Sequence, residues 1–172
     1  SGRGRFQIGM LNTNKLIEEN LELFTATIPK HIGLTKNLAP DLPLIEADIP
    51  QIQQVIMNLI INAAEAIGKE SGQIHLTTGS KIVGNSDSQY GDYVTGLVES
   101  GHYVRLEIQD SGPGMDEETM KKIFDPFFTT KAQGKGTGLG LSVVYGSIQQ
   151  HNGTIYVNSE PGIGSSFTIQ FP

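Results

Sequence analysis

Apolar positions along the chain change their period several times, and each change marks an element. Residues 14–28 place Leu16, Ile17, Leu21, Leu23, Phe24 and Ile28 close to helical spacing, which predicts one helix ended by Pro29. HIGLTKNL alternates as a strand, and APDLP follows as a turn. From Asp48 a second helix is expected. Asp48 can cap it, Pro50 suits its first turn, Gly68 can end it, and Ile52, Val55, Ile56, Leu59, Ala63 and Ile67 form one stripe. GQIHLTTGSKIV and HYVRLEIQD read as strands on either side of residues 84–101, a polar, turn-rich loop or irregular hairpin. DEETMKKIF is a short helix with acids early and lysines late, as the helix dipole favours. DPFFTTKAQGKGTG has no period and reads as a loop. A helix over 139–150 and two strands, GTIYVNS and GSSFTIQF, joined by EPGIG, complete the pattern. Several strands follow one another with no helix between them. That order predicts an α+β fold, a mixed and largely antiparallel sheet with helices on one face.

Composition narrows the function classes. The 172 residues are 37% hydrophobic with a net charge of -6, an ordinary globular balance that argues against a nucleic-acid surface. The chain has no cysteine, so thiolate metal sites and disulfides are excluded, and no apolar run is long enough to span a bilayer. SGRGRF, glycine-rich and basic, reads as a linker, and the chain reads as a piece of a longer protein.

Four stretches carry candidate chemistry. In NLIINAAEAI, Asn58, Asn62 and Glu65 stand at i, i+4 and i+7 and share a helix face. Asparagine is a poor helix-interior residue, so the face is either plain solvated surface or the polar wall of a site. An amide oxygen there is a hard ligand suited to Mg²⁺. In IQDSGPGM a strand ends at Asp110 and breaks into a strong turn sequence, which can also fix a carboxylate beside backbone that approaches a flat ligand. FDPFFTTK sets Phe124, Phe127 and Phe128 beside Thr129, Thr130 and Lys131, as core aromatics or as a lid over a charged ligand. In GKGTGLGL, Gly136, Gly138 and Gly140 precede a helix, either as a hinge or as a cradle whose N–H groups, with the helix N-terminus, suit a phosphate chain. Lys131 and Lys135 supply charge nearby. The P-loop, Rossmann, eukaryotic-kinase and H-E-x-x-H patterns are all absent.

Taken in order, NLIINA, DSGPGM, FDPFF and GTGLGL resemble the N, G1, F and G2 boxes of the sensor histidine kinases, and the ending GSSFTIQFP resembles their last strand. The resemblance covers essentially the whole chain. It implies the ATP-binding catalytic domain with the Bergerat fold, a two-layer α/β sandwich shared with gyrase, the heat-shock chaperone Hsp90 and the mismatch-repair protein MutL. It implies that Asn62 coordinates Mg²⁺, that Asn58 lies close to the phosphates, and that Asp110 accepts from the adenine amino group. Gly112 and Gly114 would shape the pocket beside the base. Residues 124–131 with the loop to Thr137 would form the ATP lid, and Gly136, Thr137, Gly138, Leu139 and Gly140 would meet the triphosphate.

The ATPases of the superfamily carry a glutamate four residues before the Mg²⁺ asparagine. Here that residue is Asn58, whose amide cannot take a proton from water, so transfer to a protein acceptor is expected over hydrolysis. The family's acceptor histidine is usually followed by an acid. His31, His75, His102 and His151 are followed by Ile, Leu, Tyr and Asn, and all four are expected to be ordinary surface or strand histidines. The acceptor would lie on a helical hairpin of the same parent protein, outside this chain. Residues 1–8 would be the linker from that hairpin and 9–172 the catalytic domain. Implied partners are ATP and a downstream response regulator, with no nucleic acid. The fragment is expected to be monomeric, its parent a cytoplasmic or membrane-anchored homodimer. Two alternatives stay open: a nucleotide-sensing or docking module without transfer activity, and a serine kinase or ATPase of the same superfamily.

Overall fold

The computed structural model describes residues 6–83, 93–95, 100–123 and 140–172. The chain runs through β1 (Gly9–Leu11), α1 (Thr13–Glu19), α2 (Leu21–Ala26), β2 (Ile32–Asn37), β3 (Ile45–Ala47), α3 (Ile49–Ile67), β4 (Gly72–Val83) and β5 (Tyr93–Thr95). It continues through β6 (Gly101–Asp110), α4 (Glu117–Met120), α5 (Gly140–Gln150), β7 (Thr154–Glu160) and β8 (Gly164–Phe171). Six strands form one sheet in the order β2-β4-β6-β8-β7-β5, and β1 pairs with β3 in a separate ribbon. Only β2 and β4 run parallel; every other pair in the large sheet is antiparallel. The expected α+β architecture is the observed one.

The β2–β4 pair dictates where the main helix goes. Parallel neighbours need a crossover, and α3 supplies it. Asp48 caps α3 by accepting from the Gln51 N–H at 3.3 Å, Pro50 occupies the first turn, and Gly68 closes the helix at φ 70°. The apolar stripe expected from the sequence is buried against the sheet, with Ile56 fully enclosed, and Ile60, outside the expected stripe, is fully enclosed as well. Each such side chain contributes roughly 1.5–3 kcal/mol by leaving water. From the sheet, Leu76, Leu106, Ile108, Ile155, Phe167 and Ile169 join the same core.

Two expectations need correction. The single helix over 14–28 is two helices, broken at Asn20, whose backbone leaves helical geometry (φ −107°, ψ 6°). Its side-chain amide donates back to the Leu16 carbonyl at 2.8 Å, the local competition with the helix ladder that asparagine favours. The short strands β1 and β3 were also not expected. Among the described residues they pair only with each other, Gly9 opposite Ala47. The 84–101 loop contains β5, which pairs with β7 at the far edge of the sheet. The loop expected over 125–138 lies outside the described residues.

Candidate active site

Strand directions alone gather the site at one end of the sheet. Ile67 ends α3 and Gly72 begins β4. Since β6 runs antiparallel to β4, its last residue, Asp110, lies opposite Ile74. Since β8 runs antiparallel to β6, Ser165 at its start lies opposite Asp110 as well. The end of α3, the end of β6 and the β7–β8 turn therefore meet.

Asp110 is only 4% exposed. Its Oδ1 accepts from the Gly112 N–H at 2.8 Å. Burial raises its pKa above the ordinary carboxylate range, opposed by the backbone amides of Gly112 and Ser165. A carboxyl held this way has a firm position and an oxygen free of that Gly112 bond.

The surrounding turn admits little but glycine. A Cβ on Gly112 would sit 2.9 Å from Asp110 Oδ1 and 3.2 Å from the Ala66 backbone. Gly114 has φ 74°, and a Cβ there would overlap the Glu160 carbonyl. The turn is fastened to the β7–β8 hairpin by Gly162 N–H donating to the Pro113 carbonyl at 2.6 Å and Met115 N–H donating to Ser159 Oγ at 2.7 Å.

Ala66 lies one helical turn past Asn62, so the contact with Gly112 brings the Asn62 face of α3 to the Asp110 turn. Asn62 is half-buried, and no described residue hydrogen-bonds its amide. Asn58 is also half-buried, with its Oδ1 accepting from Gln54 Nε2 at 2.8 Å. Both asparagines thus stand at the margin of the core rather than on an open surface.

The second helix of the site, α5, packs antiparallel to α3. Ser147 near its end hydrogen-bonds Gln51 at the start of α3, while an open groove of about 350 Å³ along the two helices is lined by Val55, Asn58, Val143 and Gly146. One turn further along each helix come Asn62 on α3 and Gly140 at the start of α5. A Cβ on Gly140 would meet open space, so its backbone is accessible. The structure thus assembles Asn58, Asn62, Asp110, Gly112, Gly114 and Gly140 at one end of the domain. Lys131, Lys135, Gly136, Thr137, Gly138 and Leu139, with the aromatic stretch from Phe124, lie outside the described residues. Among the described residues no cluster of three or more His, Cys, Asp or Glu could hold a metal.

The layered fold, with these residues at the exit of its central strands, is that of a Bergerat-type ATP-binding catalytic domain. Residues 47–172 match the family described as histidine kinase-, DNA gyrase B- and HSP90-like ATPase, and the chain belongs to that family. It is 39% identical over 163 residues to the sensor kinase CckA of Brucella abortus, covering 95% of this chain and 17% of that protein. It is 37% identical to the sensor histidine kinase ZraS of Escherichia coli K12, covering 94% of this chain and 30% of that one. The chain thus spans under a third of the length of these relatives. In structure it resembles the nucleotide-free catalytic domain of the histidine kinase ThkA, with a TM-score of 0.72 and 35% identity over 96% of this chain and 95% of that one. ThkA in complex with the response regulator TrrA matches with a TM-score of 0.69 and 31% identity, covering 97% of this chain and 42% of that one.

Proposed function

We propose that this chain binds Mg²⁺-ATP and provides the catalytic half of a sensor histidine kinase, handing the γ-phosphoryl group to a histidine on a separate helical hairpin of its parent. The observation that carries the reading is the buried Asp110 carboxyl, one of its oxygens fixed by Gly112, beside the face of α3 that presents Asn62.

In this reading Asp110 accepts from the exocyclic amino group of adenine, and Gly112 and Gly114 let backbone approach the base. The asparagines of α3 line the phosphate side, where Asn62 offers an amide oxygen that no described residue occupies. That donor fits Mg²⁺, which takes oxygen ligands and keeps several waters; when bound it would neutralise charge on the phosphates. Gly136, Thr137, Gly138, Leu139 and Gly140 would supply backbone N–H groups to the triphosphate together with the positive end of α5, and Lys131 and Lys135 would add charge. Transfer breaks the bond from the γ-phosphorus to the β–γ bridging oxygen and forms one to an imidazole nitrogen. ADP leaves, and the imidazole proton passes to a carboxylate beside the acceptor. The transition state is loose, so this chain contributes position and charge neutralisation.

Residues 1–8 are the connection to the hairpin, and a response regulator takes the phosphoryl group onward, as the ThkA–TrrA pairing supports. The fragment is monomeric, and its parent is a homodimer working in the cytoplasm, with or without a membrane anchor. Titrating the domain with a non-hydrolysable ATP analogue, with and without Mg²⁺, tests the core of the reading. Saturable one-to-one binding that Mg²⁺ alters is expected, and no binding refutes it.

A hydrolase is the second reading, since the family description names ATPases. Asn58 opposes it, because an amide is no base. Sustained phosphate release by the isolated domain would reverse that judgement.

A further inference from the structure

His151 is not the ordinary surface or strand histidine expected from the sequence. It follows α5 and is 5% exposed. Its Nδ1 lies 2.7 Å from the Ser147 carbonyl and its Nε2 accepts from the Asp48 N–H at 3.0 Å, so the proton sits on Nδ1 and both ring nitrogens are used. Asp48 then reaches the other way, its Oδ2 accepting from the Gln7 N–H at 3.1 Å. The Phe6 ring stands edge-on to the imidazole with centroids 4.9 Å apart. The segment entering at Phe6, the start of α3 and the end of α5 are thus fastened at a single point.

This point lies at the end of the antiparallel helix pair remote from Asp110. Between it and the site α3 and α5 stay packed together, and an open groove of about 350 Å³ that Asn58 and Val143 line runs along their exposed side. Because the two helices pack on one another, a change in how their far ends are tied is carried along the pair. We infer that His151 is a positioning residue: it passes the placement of the segment entering at Phe6 to the α3–α5 pair, and so to the nucleotide site. A segment that holds Phe6 on the imidazole keeps the start of α3 tied to the end of α5. One that draws Phe6 and Gln7 away loosens Asp48 and lets the pair shift by the small translations that packed helices allow. The inference rests on the nucleotide-site reading above.

The test uses the full chain carrying Phe6→Ala, His151→Phe, both together, or His151→Gln. The phenylalanine keeps a ring and loses both hydrogen bonds; the glutamine keeps an acceptor for the Asp48 N–H. Amide hydrogen exchange along α3 without nucleotide is one readout, and affinity for a non-hydrolysable ATP analogue is the other. Phe6→Ala and His151→Phe should each speed exchange in α3 and weaken binding about fivefold. The double variant should be no worse than His151→Phe, and His151→Gln should recover most of the affinity. A lower melting temperature with α3 exchange and affinity unchanged would make the contact purely structural and overturn the inference, as would fully additive effects of the two substitutions. If the unaltered chain binds no nucleotide, it is the functional reading that falls, and α3 exchange alone then decides whether the clamp acts on the helix.

Discussion

Asp110→Asn separates recognition from folding in a single substitution. The buried carboxyl holds the Gly112 N–H at 2.8 Å, and an amide oxygen can keep that bond. The other oxygen becomes an NH₂ group. Facing the amino group of adenine, a donor then meets a donor, and a hydrogen bond to a charged acceptor is lost. Such bonds are worth about 1.5–3 kcal/mol, so nucleotide affinity should fall roughly 10- to 200-fold.

Stability should move the other way. Burial raises the pKa of Asp110, which means that the folded state holds the proton more tightly than the unfolded chain does. The cost of the ionised carboxylate is therefore absent at acid pH, where the group is protonated in both states. It sets in as pH rises through the raised folded value. Asparagine carries no such cost. Without ligand, the variant should melt at or above the parent temperature at neutral pH, and the advantage should vanish on acidification. Calorimetric titration and thermal melts at neutral and acid pH read both effects. Affinity within about twofold of the parent would refute the base-reading role, taking one hydrogen bond as worth at least about 1 kcal/mol. A variant that melts well below the parent at neutral pH would refute the stability argument.

Asn62→Ala should leave Mg²⁺-free binding of the analogue nearly intact and abolish the change that Mg²⁺ brings, as parallel titrations will show. Gly114→Ala forces a Cβ into the Glu160 carbonyl at positive φ, so the domain should lose about 1–3 kcal/mol or more in a urea melt. Ile56→Ala, deep under α3, should cost about 2–5 kcal/mol with an unchanged denaturant slope.

Elements with a local signal were legible in the sequence. The cap, early proline and apolar stripe of α3 are local, and so is the alternation of β7 and β8 around their turn. The β1–β3 ribbon has no such signal, because each strand is three residues long and its partner is distant in the chain. Asn20 hid a break because the apolar spacing runs on through it. At the site, Asn62 and Asp110 stood out as polar residues where the pattern did not call for them. That Gly114 must lie against the Glu160 carbonyl, or that Gly164 begins β8 hard against the Asp110 carbonyl, could not be read, since each depends on strands meeting from different parts of the chain. His151 was misread for the same reason: apart from the Ser147 carbonyl one turn earlier, its partners are Phe6, Asp48 and Phe171, all far from it in sequence.

The place of β8 in the sheet has a consequence for how the domain is made. It lies between β6 and β7, yet it comes after both in the chain. As the polypeptide leaves the ribosome, β6 emerges with one edge unpaired and the core beneath it open until Phe167, Ile169 and Phe171 arrive. Nucleotide competence therefore waits for the strand that closes the gap between β6 and β7. A chain cut short before residue 164 would present the proteostasis machinery with an exposed sheet edge rather than a weakened nucleotide site.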